Sequence, residues 1–219
     1  MAGVVLVHGA WHGAWCWDAV VEELERRGVT VDAVELPLSG FTDDVRAARE
    51  ATEAMGPDTV LVGHSYGGLV ISEAALGLPV RRLVYVAAFM SEAGEDVTAV
   101  LTEYGSDLTE SVVVTDTGLT VDPEVAPGLF YGDSDRRMAL AMVSRLRPMP
   151  LEPLVQPSEP AWTSIPSTYV VCTADRVLPP AAQRWMAARA DEVVEVESDH
   201  SPFLAHPRVL ADLAVSHLP

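Results

Sequence analysis

The hexapeptide Gly63-His64-Ser65-Tyr66-Gly67-Gly68 sets a serine between glycines two residues to either side. It follows the apolar run Val60-Leu61-Val62 and precedes Leu69–Leu76, whose apolar spacing reads as a helix. A strand-to-helix turn this tight strains the backbone at the serine. It leaves no room for side chains at positions 63 and 67, which calls for glycine. The turn lifts the Ser65 hydroxyl to a helix N-terminus, where free amides and the helix dipole favour developing negative charge. That is nucleophile chemistry, and a serine hydroxyl needs a base. His200 lies in Ser198-Asp199-His200-Ser201-Pro202, and Asp175 in Cys172-Thr173-Ala174-Asp175-Arg176. Each follows a strand-like run, and the order serine, acid, histidine is one that such triads use. Strand ends on one edge of a parallel sheet bring distant residues together. His200 is expected to take the Ser65 proton and return it to a leaving alcohol, with Asp175 fixing the imidazole tautomer. The rival acid, Asp199, adjoins His200 and points to the other side of an extended chain, as a turn residue would.

His8-Gly9-Ala10-Trp11 closes the first apolar run. The backbone amides of Ala10 and Tyr66 are the candidate oxyanion hole, each placed about 3 Å from the oxygen that becomes negative. Gly9 lets the chain approach closely. His8 and His64 are expected to orient backbone, and Trp15 and Trp17 to pack.

Short strands and helices alternate on either side of these loops, which predicts a mostly parallel sheet covered on both faces. The strands read as Val4–His8, Thr30–Leu36, Thr59–Val62, Leu83–Ala88, Tyr169–Cys172 and Val193–Glu197. The helices read as Trp15–Arg27, Thr42–Met55, Leu69–Leu76, Ala181–Ala190 and Arg208–His217. Between Phe89 and about Pro160 the rhythm breaks into β-like pieces (Val112–Thr115, Leu119–Val121) and one helical stretch, Arg137–Leu146. Prolines 148, 150, 153, 157 and 160 then make a stiff return connection. The expected organisation is a single domain, with residues 1–88 and 161–219 as core and 89–160 as an insertion. That insertion is expected to govern substrate choice and not chemistry. Trp11, Phe89, Phe130, Met142 and Leu146 are the candidate pocket wall.

Composition narrows the function. The net charge of −18 argues against nucleic acid and strongly anionic substrates, unless a local pair such as Arg136-Arg137 offsets it. All 14 basic residues are arginines, so lysine Schiff-base chemistry is removed. Six histidines show no metal-ligand spacing, and neither metal nor cofactor is expected. Cys16 and Cys172 read as buried thiols. No apolar run approaches the ~20 residues of a membrane span, and the chain begins at once on a strand, which reads as a cytoplasmic protein without a signal peptide. The wealth of Arg, Ala, Val and Pro without lysine suggests a high-GC bacterial source.

Two blocks carry a resemblance: Val5-Leu6-Val7-His8-Gly9-Ala10-Trp11-His12-Gly13-Ala14-Trp15-Cys16-Trp17 and Val62-Gly63-His64-Ser65-Tyr66-Gly67-Gly68. Over residues 1–88 and 165–219 the chain resembles the plant methylesterase and hydroxynitrile lyase branch of the α/β-hydrolases and its bacterial esterase relatives. The resemblance implies an α/β-hydrolase fold, with residues 89–160 as a small cap over the site; Phe130-Tyr131 and the helix after it look similar to that cap. The chain is shorter than the plant members, which implies a reduced cap and a more open pocket. The activity implied is a serine carboxylesterase acting on a small or medium, mostly apolar ester. A hydroxynitrile lyase, an acyltransferase or a ligand-binding receptor would be the alternatives on this fold. In the lyases a threonine follows the first-block histidine and a lysine follows the catalytic one. Here those positions are Gly9 and Ser201.

Overall fold

In the computed structural model, which describes residues 2–151 and 157–219, six parallel strands form one sheet. They are β1 (Gly3–Val7), β2 (Thr30–Val34), β3 (Thr59–His64), β4 (Val80–Val86), β7 (Ser167–Cys172) and β8 (Glu192–Val196), in the spatial order 2-1-3-4-7-8. Strands β1, β3 and β7 are buried along their whole length, as the interior of a sheet covered on both faces requires. Period-two alternation divides the core. Val5, Val7, Leu61, Leu83 and Tyr85 face one way, and Val4, Leu6, Val60, Val62, Val84 and Val86 the other. Helices α2 (Phe41–Met55), α3 (Gly67–Ala74) and α7 (Pro180–Ala187) cover the first face through residues such as Ala48, Leu69, Ile71 and Met186. Helix α1 (Asp18–Arg26) covers the second through Val20 and Leu24, α8 (Pro202–Ala205) through Phe203, and α9 (Pro207–Ser216) through Leu210, Ala211 and Ala214. Cys16 and Cys172 are buried free thiols, and burial pushes both well above the ordinary thiol range.

The chain runs outward from β1 to β2, then returns to place β3 on the other side of β1. Loops leaving β1 and β3 therefore diverge, and the crevice at their carboxyl ends is where a doubly wound sheet holds its ligands. Val4 pairs with Val60 and Val7 with Gly63, so the two loops start side by side.

Between β4 and β7 the chain leaves the sheet. It forms α4 (Val97–Glu103), a hairpin of β5 (Val112–Thr115) and β6 (Gly118–Val121), α5 (Ala126–Phe130) and α6 (Arg136–Val143). The hairpin and α6 match the sequence-based expectation. The helices α4 and α5 were not foreseen. The sequence of α4, VTAVLTE, is rich in β-branched residues of weak helix propensity, and its start depends on the Asp96 carboxylate accepting from Thr98 N and Ala99 N. The α5 segment has only five residues and begins Ala-Pro-Gly. Strand β4 starts three residues earlier than its apolar signal because Arg81 and Arg82 lie within it. Of the return connection, Met149 pairs with Leu119 of the hairpin, while the expectation at Pro153 falls outside the described residues.

Close packing at the β3–α3 turn yields a test. A Cβ on Gly67 would sit 2.7 Å from the Val7 carbonyl oxygen and 2.8 Å from that of His8. Both are strand-end backbone atoms that cannot swing aside. Gly67→Ala should therefore lose about 3 kcal/mol in urea unfolding, the upper end for overpacking. A loss under about 1 kcal/mol would mean that the turn relaxes freely.

Candidate active site

Ser65 leaves β3 with φ at 52°, a left-handed conformation that a non-glycine residue holds only when its surroundings enforce it. Three bonds do so. Ser65 N donates to the Val86 carbonyl at 3.2 Å, and the Ser65 carbonyl accepts from Gly68 N at 3.0 Å and Phe89 N at 3.1 Å. The turn is thus tied to the end of β4 and to the first turn of α3. Ser65 keeps 8% of its surface exposed, enough to be reached from outside.

Asp175 follows β7 and His200 follows β8, and both are almost wholly buried. The Asp175 carboxylate accepts four hydrogen bonds. One oxygen takes Val177 N at 2.7 Å and Leu178 N at 3.0 Å; the other takes Gln183 Nε2 at 2.8 Å and His200 Nδ1 at 2.7 Å. Gln183 is itself fixed by accepting from Cys172 N and donating to the Leu178 carbonyl. Sequence reasoning missed it, because a glutamine inside a helix carries no motif. With Nδ1 committed to Asp175, the His200 Nε2 is left for chemistry. The His200 carbonyl accepts from His64 Nε2 at 2.8 Å, which anchors its loop to the residue before Ser65. No hydrogen bond joins Ser65 Oγ to His200 here; such bonds are often long before substrate binds. Asp199 is a turn residue. Its carboxylate accepts from Ser201 N and Asp133 N, and its own amide donates to Asp133 Oδ2 at 2.7 Å.

The loop after β1 is held by two histidines. His8 Nε2 accepts from Leu36 N, so Nδ1 carries the proton and donates to the Gly9 carbonyl at 2.8 Å. Pinning one end of the trans Gly9–Ala10 peptide aims its other end, the Ala10 N–H, the opposite way. His12 Nδ1 donates to the Ala10 carbonyl, and its Nε2 accepts from the Tyr131 hydroxyl, each at 2.8 Å. Burial lowers His8 to about 3 and His12 to about 4, and holds His64 well below the histidine range. All three are neutral near pH 7. Trp11 has φ at 62°, with its indole N–H on the Leu119 carbonyl and its own carbonyl accepting from Arg147 N at 2.7 Å. The amides of Ala10 and Tyr66 have no acceptor among the described residues. The Tyr66 side chain is anchored to α2 by its hydroxyl on Asp44 Oδ2 at 2.8 Å.

A model of the alpha/beta hydrolase family matches residues 4–213. The chain belongs to this family. Among characterised relatives of this α/β hydrolase, it is 30% identical to the alpha/beta hydrolase nvfD of Aspergillus novofumigatus, over 93% of this chain and 91% of that one. It is also 30% identical to Methylesterase 2 of Arabidopsis thaliana, over 95% and 92%. Among solved structures, a pyrethroid hydrolase from Sphingobium faniae superposes with a TM-score of 0.81 at 26% identity, covering 99% of this chain and 97% of that one.

Beside the Ala10 amide the hydrolase has a cavity of about 390 Å³. Of the five wall residues expected from sequence, only Trp11 lines it. Phe89 spends its backbone on the serine turn, and Phe130 is buried against Trp11, His12 and His200. Met142 is half-buried against the core, and Leu146 lines a separate hollow with Trp11 and Arg147. The wall comes instead from α4 (Leu101), the segment after it (Leu108), the hairpin (Val112, Leu119) and Met149. No motif or regular period marks them in the sequence. The insertion also reaches the strand-end loops through Tyr131, Asp133 and Arg147. Among the described residues no cluster of His, Cys, Asp or Glu could hold a metal ion, and no helix is long and apolar enough to cross a membrane.

The buried histidines set a stability test. Their folded pKa values lie below the unfolded value of about 6.5, so the unfolded chain takes up protons that the native chain refuses. Stability is full above about pH 6.5 and falls as pH drops toward 4, by up to about 1.4 kcal/mol per histidine per pH unit. Urea midpoints at pH 7 and 5 should show the decline, and His12→Asn should make it shallower. An equally steep decline in that variant would show that His12 is not held neutral.

Proposed function

We propose that this α/β hydrolase is a serine carboxylesterase that cleaves a small or medium, mostly apolar ester through an acyl-enzyme. The observation that carries the reading is the Asp175–His200 hydrogen bond of 2.7 Å, set behind a serine in a strained turn between two unpartnered amides. Ser65 attacks the ester carbonyl as His200 takes its proton through Nε2. The amides of Ala10 and Tyr66 receive the oxyanion, and His200 then protonates the departing alcohol. Water repeats the sequence on the acyl-enzyme. Asp175 accepts from Nδ1 throughout and stabilises the imidazolium.

The cavity beside Ala10 supports an uncharged substrate. Its described wall holds three threonine hydroxyls and otherwise apolar groups, with no charged side chain, and its volume suits a ligand of modest size. The names of the relatives, a methylesterase and a pyrethroid hydrolase, agree with ester chemistry. A lyase reading is disfavoured at position 9. A Cβ there would lie 2.9 Å from Ser65 Cβ and 2.9 Å from His64 Nδ1, so the threonine of the lyases does not fit this loop as it stands. Ser201 supplies no cation for departing cyanide, and the chain has no lysine to do so.

A fluorophosphonate should add one label that Ser65→Ala abolishes without loss of fold, and p-nitrophenyl acetate should turn over while mandelonitrile cleavage stays at background. Labelling that survives Ser65→Ala, or brisk Ser65-dependent cyanide release, would overturn the assignment. His200→Ala should remove about 10³-fold or more of kcat.

Leu101→Ala should widen the cavity and shift kcat/KM toward longer acyl or alcohol groups by about 10-fold, the scale of one hydrophobic contact. A uniform loss across an ester series would instead mark Leu101 as a packing residue.

A further inference from the structure

We infer that Tyr131, supplied by the segment between β4 and β7, is a positioning residue for the oxyanion hole and acts through His12. This rests on the reading of the Ala10 amide as an oxyanion donor. The chain of contacts is short. The Tyr131 hydroxyl lies 2.8 Å from His12 Nε2, and His12 Nδ1 lies 2.8 Å from the Ala10 carbonyl. A carbonyl can only accept, so His12 carries its proton on Nδ1, and the neutral ring must then accept at Nε2. The tyrosine is therefore the donor, and its hydroxyl selects the tautomer that can hold Ala10. Burial keeps both groups in the required state, since it lowers His12 to about 4 and raises the Tyr131 hydroxyl far above its ordinary range.

One hydrogen bond to the Gly9 carbonyl aims the Ala10 amide but does not lock it. His8 fixes the peptide on its near side through the Gly9 carbonyl, and His12 fixes the next peptide through the Ala10 carbonyl. With both planes set, rotation about the Ala10 dihedrals is closed and the N–H stays aimed. Without Tyr131, His12 Nε2 is left a buried acceptor with no donor, and only the Ala10 carbonyl still favours the proton on Nδ1. Whenever the proton moves to Nε2, Nδ1 and the Ala10 carbonyl are two acceptors facing one another, and the loop must move apart. Rings pack around His12 on several sides, with Phe130, Phe203 and Trp15 all within 6 Å centroid to centroid, so the imidazole cannot flip to escape. The hydroxyl of a residue outside the sheet core thus becomes part of what holds an oxyanion donor at its working angle.

The test is Tyr131→Phe, which keeps the ring and removes the hydroxyl, paired with His12→Asn. The asparagine amide N–H is placed to replace Nδ1–H toward Ala10 but cannot reach Tyr131. Tyr131→Phe should lower kcat about 10-fold or more with KM within about twofold, equally for esters of small and large acyl groups, as a misaimed donor does. His12→Asn should retain much more kcat than His12→Ala, and adding Tyr131→Phe to His12→Asn should cost nothing further. Thermal unfolding of each variant establishes that it is folded. If Tyr131→Phe does not fold, the contrast between His12→Asn and His12→Ala still decides. A Tyr131→Phe effect confined to KM or to large esters would make Tyr131 a pocket wall and overturn the inference. So would full additivity with His12→Asn, or equal activity of the two His12 variants. A wild-type enzyme without Ser65-dependent labelling or ester turnover would defeat the esterase reading itself, a failure seen before any variant is compared.

Discussion

A serine backbone at φ 52° is the constraint around which this molecule is arranged. The conformation costs on the order of 1–3 kcal/mol for a residue with a side chain, and persists only where neighbours leave no alternative. Here the neighbours are backbone. The ends of β1 and β4 press on the turn so closely that a single methyl at Gly67 or Gly68 would strike a main-chain oxygen. Three hydrogen bonds to the Ser65 main chain close the remaining freedom. Strand order follows from the same need. Only with β1 and β4 flanking β3 do their carboxyl ends reach the turn from both sides, and only then does the loop after β1 present its amide to the serine.

The electrostatics around that turn are those of a strongly acidic protein whose site contains few charges. Asp175 is the one carboxylate bonded to His200, and four donors surround it, so its charge is solvated by protein instead of water. The other imidazoles near Ser65 are neutral because burial opposes their protonation. A charged His8 or His64 would raise the cost of forming an imidazolium at His200. Neutral neighbours leave His200, its Nδ1 on Asp175, as the imidazole proposed to take the Ser65 proton. Arg147 spends its guanidinium on the His12 and Leu36 carbonyls and on Glu35, so it braces backbone.

How much of this could be read in advance depended on how local each cause was. The elbow, the strand-end acid and histidine, and the parallel alternation are each written within about ten residues, by glycine spacing or apolar period. They stood out in the chain for that reason. Helix α4 was hidden because its signal is one capping aspartate ahead of β-branched residues. Gln183 was hidden because its role exists only once α7 lies under β7. The lining of the cavity beside Ala10 was hidden for a related reason. Large apolar residues such as Phe89 and Phe130 attract attention in sequence. Such residues are also the ones the core claims, and the cavity is bordered by smaller residues of α4 and the hairpin.

Trp11 shows why substrate choice and chemistry are not separable in this architecture. Its backbone belongs to the loop that carries the Ala10 amide, in a left-handed conformation as unusual as that of Ser65. Its indole lines both the cavity beside Ala10 and the hollow on the side of Leu146, and bonds to the Leu119 carbonyl of the β5–β6 hairpin. Leu119 in turn pairs through its backbone with Met149, another wall residue. On the esterase reading proposed above, a hairpin that shifts to admit a bulkier ester would pull on the indole N–H, and through it on the loop proposed to hold the oxyanion. Tight strand-end loops tolerate little such motion before donor geometry suffers, since displacements near 1 Å already cost large factors in rate. Changes in specificity in this chain are then expected to come most cheaply from side chains that border the cavity without touching that loop, such as Leu101, Leu108 and Val112, and at greatest catalytic cost from Leu119 and Trp11.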